Sequence, residues 1–371
     1  MGSNSKLNTQ NSKLAKLPGL LLDWFAANAR DLPWRRTHDA YSVWVSEIML
    51  QQTQVKTVIP YWNRWMAALP DIAAVAAAHP DTLHKLWEGL GYYTRVRNLQ
   101  KAAQVMVARH GGKFPEKYEE ILELPGIGRY TAGAVGSIAF NQPVPILDGN
   151  VIRVLTRVFG ISENPKEKQT NERLWQLAGE LVHTSSLILH PSPNPCSALN
   201  QSLMELGALV CTPRNAQCGV CPVRRHCVAN AEDRVESLPN LGARPVTTAR
   251  FFVALVAEHK GKFLVRQRPA GVVNAHLWEF PNVETTGDEA EPGLAARELL
   301  GAEPAQLHPL VTVKHSITRY RMTLSAYALS LRKVPAKAAG VWKTREEMNG
   351  LAFASAHKKI LGKVTVSPAK G

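Results

Sequence analysis

The sequence is short of cysteine, short of acid relative to base, and without a long apolar run, and each shortage excludes a class of protein. No stretch of 18 apolar residues occurs anywhere in it, so an ordinary membrane-spanning helix is excluded and no membrane partner is expected. Residues 1–16 are polar and contain no apolar core, which excludes a signal peptide there and predicts a loose tail. Cysteine occurs five times, four of them between Cys211 and Cys227, and nothing suggests secretion. A disulfide framework is therefore excluded, and the cluster reads as a metal site with Cys196 as a buried thiol. Asp and Glu total 30 against 44 Lys and Arg, leaving a formal charge of +14, a balance suited to a polyanionic partner such as nucleic acid. No internal repeat is present. The 371 residues are 45% hydrophobic, enough for two cores of ordinary size.

Apolar residues recur at three and four spacings from Leu17 to about Ala231, as in Val43, Trp44, Ile48 and Val55, with Pro and Gly at short intervals. This predicts an all-α domain of short helices over 17–231. Pro239, Gly242 and Pro245 mark a linker at 232–247. Beyond it Phe251 to Ala257 and Lys262 to Gln267 are β-prone runs split by His259-Lys260-Gly261, a hairpin signal. Leu310 to Val313 and Arg321 to Leu331 also predict strands, and Leu294 to Leu300 a helix. The second domain, 248–363, is thus α/β or α+β, with a tail at 364–371.

Three features carry chemistry. Leu124-Pro125-Gly126-Ile127-Gly128 joins two helical runs. Its glycines permit a tight turn and leave bare amides at a helix start, which suits a phosphate as well as a plain helix connection. Asp148 follows Val144-Pro145-Ile146-Leu147 and precedes an amphipathic helix with Val151, Val154, Leu155 and Val158. It fits an N-cap, and the helix dipole and nearby amides are expected to hold it ionised. Glu47 interrupts Val43-Trp44-Val45-Ser46-Glu47-Ile48-Met49-Leu50. On the solvent edge of its helix it would do nothing; among those neighbours it loses hydration, gains proton affinity and can act as a general acid. The cysteines stand as Cys211-x6-Cys218-x2-Cys221-x5-Cys227, and four thiolates so spaced suit zinc as well as iron–sulfur.

Hairpin, spacer and aspartate together resemble the helix-hairpin-helix DNA glycosylase superfamily. Ser46-Glu47-Ile48-Met49-Leu50-Gln51-Gln52-Thr53-Gln54-Val55, Trp87-Glu88-Gly89-Leu90-Gly91-Tyr92-Tyr93, Arg95-Val96-Arg97-Asn98-Leu99 and Arg30-Asp31-Leu32-Pro33-Trp34-Arg35 resemble its adenine glycosylase branch, the MutY family. The resemblance implies that Glu47 protonates a departing adenine and that Asp148 stabilises the sugar cation, supported by Tyr130 and Asn150. It implies DNA contacts from Arg30, Arg35, Gly126 and Gly128, with Gln52, Thr53, Leu90 and Tyr92 pushed into the duplex. It implies a [4Fe-4S] cluster on Cys211, Cys218, Cys221 and Cys227. Bifunctional relatives carry Lys where this chain has Tyr130, and a phenol forms no imine, so a monofunctional enzyme is expected. The expected partner is double-stranded DNA with an A:8-oxoguanine or A:G mispair. A monomer acting in the cytoplasm, at a bacterial nucleoid, is implied as well.

The C-terminal part resembles the Nudix-like domain that ends MutY proteins, through Gln267-Arg268-Pro269, Leu277-Trp278-Glu279-Phe280-Pro281 and Leu351-Ala352-Phe353-Ala354-Ser355-Ala356-His357. Arg297-Glu298 is followed by Leu300-Gly301-Ala302 where a hydrolase needs two glutamates for metal, so pyrophosphatase activity is not expected. The domain is expected to read the oxidised guanine. Relatives carry Phe-Ser-His in the sensing loop; here Ile317-Thr318-Arg319 stands there. Thr318 keeps a hydroxyl, and Arg319 can donate to a base edge or a phosphate. An endonuclease III-like lyase, a non-catalytic DNA-binding module and a Nudix hydrolase are the competing readings. Tyr130 and the extra domain, the presence of both Glu47 and Asp148, and the broken box weigh against them in turn.

Overall fold

A computed structural model describes residues 2–243, 246–287, 291–301, 306–317 and 319–365, the side chains of 2–12 and 317 excepted. The helices are α1 (Gly2–Asn28), α2 (Ala40–Leu50), α3 (Val55–Ala68), α4 (Ile72–Ala77), α5 (Pro80–Leu86), α6 (Thr94–His110), α7 (Tyr118–Leu122), α8 (Arg129–Ile138), α9 (Gly149–Phe159), α10 (Lys168–Leu187), α11 (Pro195–Leu209), α12 (Val228–Ala231), α13 (Pro292–Leu300), α14 (Arg345–Gly350) and α15 (Ser355–Leu361). The strands are β1 (Thr248–His259), β2 (Lys262–Gln267), β3 (Trp278–Glu279), β4 (Asn282–Thr285), β5 (His308–Ile317), β6 (Tyr320–Ser330) and β7 (Val341–Thr344). Two compact units form: Met1–Ala77 with Asn98–Arg244, and Ala78–Arg97 with Pro245–Gly371.

The first unit is helical because its sequence repeats apolar residues on helix faces. In α9 Val151, Val154, Leu155 and Val158 are all buried, each burial contributing roughly 1.5–3 kcal/mol. Gly160 ends the helix in the left-handed conformation at φ 67°, the usual glycine stop. The turn between α7 and α8 needs Gly126: its φ is +76°, and a Cβ there would stand 2.5 Å from Asn98 Cβ.

The second unit holds a seven-stranded sheet with the path β3-β2-β1-β6-β5, β4 pairing β1 and β7 pairing β2. β1 and β6 run parallel from Thr248↔Tyr320 to Glu258↔Ser330. Both faces of β1 are covered. Ala254 and Val256 pack with Phe280, Phe353 and Ile360, while Val253, Leu255 and Ala257 pack with Ala296 and Leu300. That is why this strand reads as a continuous apolar run instead of alternating. Lys260 and Gly261 turn the β1–β2 hairpin at φ 49° and 76°, the two-residue geometry that its sequence signals.

Four expected boundaries move. The tail expected through Lys16 is helical from Gly2, and Leu14 is buried, since apolar Leu14, Leu17, Leu21 and Leu22 share one helix. The expected linker packs on the first unit as far as 243: Leu238 is buried and its carbonyl accepts from Arg157 Nε at 2.9 Å. Residues 78–97, expected within the helical domain, belong to the second unit. Of the C-terminal tail, Val364 is buried against the sheet core; residues 366–371 lie outside the described ones.

Candidate active site

Ten consecutive residues of α2, Ala40 to Met49, are buried, so this helix has no solvent edge for Glu47 to occupy. Glu47 is 5% exposed. Tyr130, from the first turn of α8, donates from Oη to Glu47 Oε2 at 2.5 Å. Burial pushes the Glu47 carboxyl up to about 7, and Asp148 pushes the same way, against the Tyr130 hydrogen bond and the charge of Arg35. Burial, then Glu47 and Asp148, hold the Tyr130 phenol far above its ordinary range, so it stays a donor. The result is a carboxyl that keeps its proton near neutrality, fixed by one hydrogen bond.

Asp148 is the N-cap of α9. It accepts from Val151 N at 2.7 Å and from Asn150 Nδ2 at 2.9 Å. These amides, with the helix dipole, were expected to hold the carboxyl ionised. Burial raises the Asp148 carboxyl above its ordinary value, and the donors and Arg153 moderate the rise. Asn150 is steadied in turn: Arg153 Nη2 donates to Asn150 Oδ1 at 2.8 Å and to Gly207 O at 2.7 Å, and its Nε donates to Cys211 O at 2.7 Å. Gly207 lets α11 approach this turn, since a Cβ there would fall 2.6 Å from Asn150 Cβ. Arg153 thus joins the cap of Asp148 to the first cysteine of the loop. Its removal leaves buried carbonyls without donors at a cost of about 1–3 kcal/mol each. Arg153→Ala is expected to lower the unfolding free energy by roughly 2–4 kcal/mol in chemical denaturation; an unchanged midpoint contradicts this.

Arg30 and Arg35, two expected DNA contacts, both pair with Glu205. Arg30 Nε and Nη2 donate to Glu205 at 2.7 and 2.8 Å, and Arg35 Nη2 donates to Glu205 at 2.9 Å. Burial alone would raise Glu205, but the two guanidinium groups hold it down at about 2. Glu205, 1% exposed, was missed in the sequence; its one signal is a charge inside the apolar α11. Gln52 is exposed at φ 57° and Thr53 is half-buried. Gly128 is the N-cap of α8.

In the second unit Tyr92 is 47% exposed at φ 46°, whereas Leu90, expected to enter the duplex, is 6% exposed. Arg319 is exposed, stacks on Tyr320 at 5.2 Å and donates to its hydroxyl at 3.0 Å; Thr318 lies outside the described residues. Buried Glu279 holds Arg266 Nε at 2.8 Å and also pairs with Arg268, so the Leu277-to-Pro281 motif is part of the core.

Cys211, Cys218, Cys221 and Cys227 line one cavity, whose other walls include Val154, Val158, Leu206, Val210 and Val223. Arg157, 1% exposed, donates from Nη1 to Cys211 Sγ at 3.4 Å and to Thr212 O at 2.8 Å. Burial pushes the Cys221 thiol up to about 11. Among the described residues no group of three His, Cys, Asp or Glu side chains is arranged to hold a single metal ion. Cys196 lies apart, buried in α11.

Comparison with known proteins accounts for both units. The family model for the HhH-GPD superfamily of base excision DNA repair proteins matches residues 45–180, and that for the NUDIX domain matches 252–363. The adenine DNA glycosylase of Mus musculus is 36% identical over 400 residues, covering 92% of this chain and 76% of that protein. The adenine DNA glycosylase of Homo sapiens is 36% identical over 407 residues, covering 92% and 72%. A solved thermostable thymine-DNA glycosylase matches with a TM-score of 0.53 at 27% identity, covering 60% of this chain and 98% of that one. With the helix-hairpin-helix and Nudix-like domains in place and the relatives matched through both, the chain belongs to the adenine DNA glycosylase family of DNA repair enzymes.

Proposed function

We propose that this chain hydrolyses the N-glycosidic bond of adenine mispaired with 8-oxoguanine or guanine, without cutting the strand. One observation carries the reading: a buried carboxyl that is protonated near neutrality, held by Tyr130, senses the charge of a second carboxyl at a helix cap. In this reading adenine is turned out of the duplex. Glu47 gives its proton to a purine ring nitrogen, and the bond between base and anomeric carbon breaks with its electrons on the base. Asp148, steadied by Asn150 and the Val151 amide, faces the positive charge that develops on the sugar. Water adds to that carbon, and its released proton restores Glu47. The two carboxyls divide the work as in glycoside hydrolysis. Gln52, Thr53, Leu90 and Tyr92 are assigned to the duplex around the lesion, Gly126 and Gly128 to the backbone, and Thr318 and Arg319 to the opposite base.

Excision from duplexes with A opposite 8-oxoguanine, G, C and T tests the reading, with the product treated with and without alkali. Release of adenine from the first two, with strand breaks only after alkali, is expected. Efficient nicking without alkali contradicts the monofunctional assignment, because Tyr130 supplies no amine.

The four cysteines fit a [4Fe-4S] cluster. Thiols ringing an apolar-walled cavity suit a polynuclear group, and burial raises the proton affinity of Cys221 and Cys227, so that a cation must draw out those thiolates. Bound there, the cluster supplies a rigid closure for the loop bearing the exposed Arg214, Arg224 and Arg225. The purified protein is expected to be brown, and Cys221→Ala to lose the colour and melt at lower temperature. A colourless protein that contains zinc contradicts the assignment.

A further inference from the structure

We propose that Glu88 is a positioning residue that ties the turn 89–92 to the strand domain, fixing the pose in which the exposed ring of Tyr92 meets DNA. The inference rests on the glycosylase reading for what Tyr92 meets, but the tether itself is a property of the free protein.

The strain in this turn sits at Tyr92. Gly89 and Gly91 take positive φ of 110° and 71° freely, but Tyr92 stands at φ 46°, and a tyrosine so placed persists only when its surroundings hold it. Part of the support is internal: Trp87 Nε1 donates to Gly91 O at 3.1 Å, and Arg95 Nη2 donates to Leu90 O at 3.0 Å while its guanidinium stacks on Trp87 and Tyr92. Further support comes through Glu88, whose side chain is 12% exposed. Its Oε1 accepts the Phe353 amide at 3.0 Å, and its Oε2 accepts Lys358 Nζ and Lys85 Nζ, each at 3.0 Å. Lys85 continues the junction by donating to Asn349 O at 2.7 Å and Leu351 O at 3.0 Å, where the carbonyls of the α14 end need donors. The anchor is firm, because Phe353 is fully buried in the sheet core. A single carboxylate therefore binds one amide and two ammonium groups from a segment more than 260 residues away, immediately before the strained turn.

Two readouts test the tether. In the free protein, Glu88→Ala is expected to speed amide hydrogen exchange in the turn 89–92 by about tenfold or more, with the amides of β1 unchanged as the control for folding. Unchanged protection of the turn overturns the proposal whatever the activity. On a duplex with A opposite 8-oxoguanine, Glu88→Ala is expected to slow single-turnover excision by on the order of 10- to 100-fold. The double variant with Tyr92→Ala is expected to be no slower than Tyr92→Ala alone, and Glu88→Gln, which keeps an acceptor for the Phe353 amide, to recover part of the rate. Losses that multiply in the double variant overturn the proposal. Should wild-type protein release no adenine, the glycosylase reading fails while the exchange result still decides the tether.

Discussion

Glu47→Gln is expected to lower single-turnover adenine excision by on the order of 10³-fold or more while duplex affinity stays within a few-fold. The amide keeps the shape of the side chain and can still accept from Tyr130, but it has no proton to give. The same change is expected to stabilise the fold above neutral pH. An unfolded glutamate releases its proton near 4.5, whereas the buried one holds it to about 7. Between those values the unfolded chain has shed a proton that the folded chain retains, so stability falls as pH rises through the window and stays low above it. Glutamine carries no such penalty. The variant should therefore gain on the order of 2–3 kcal/mol at about pH 8 and nothing at about pH 4, as thermal melts at the two values would read. Wild-type excision by this variant removes the acid assignment, and a loss of stability at pH 8 removes the account of why the carboxyl is protonated.

Asp148→Asn separates two jobs that one side chain performs. As an N-cap, Asn serves about as well as Asp, so the bond to Val151 N is retained and the melting temperature should shift by only a few degrees. As the counter-charge to a sugar cation, Asn is neutral, and the rate is expected to fall by on the order of 10²–10³-fold or more, the scale of losing a preorganised electrostatic partner. Asp148→Ala should lose both, adding about 1 kcal/mol of destabilisation. If the Asn variant excises adenine at the wild-type rate, the aspartate is only a cap.

The chemistry was legible in the sequence where it depends on neighbours along the chain. A carboxyl within Val43-to-Leu50 had to be dehydrated once the helix was buried, and an aspartate ahead of Val151, Val154, Leu155 and Val158 had to cap their helix. The β1–β2 hairpin, β6 and α13 lie where β-prone runs, turn residues and helical spacing put them, because residue propensity and glycine conformation are local properties. What was not legible depends on residues far apart. Nothing near Arg30 and Arg35 in the sequence announces that Glu205, some 170 residues on, pairs with both. Residues 78–97 read as one more helical stretch, and nothing near Glu88 announces Phe353 and Lys358. The rise in the proton affinity of Asp148 was not legible for a related reason: the amides that favour its charge are adjacent in sequence, while the burial that opposes them comes from the whole packed unit.

The central claim is that a protonated Glu47 drives the reaction, and the pH dependence of single-turnover excision on a duplex with A opposite 8-oxoguanine tests it most directly. The rate should fall by about tenfold per pH unit above about pH 7, as Glu47 loses its proton, and should fall again at acid pH, where Asp148 gains one. A rate that stays level to about pH 9, or rises, contradicts the account.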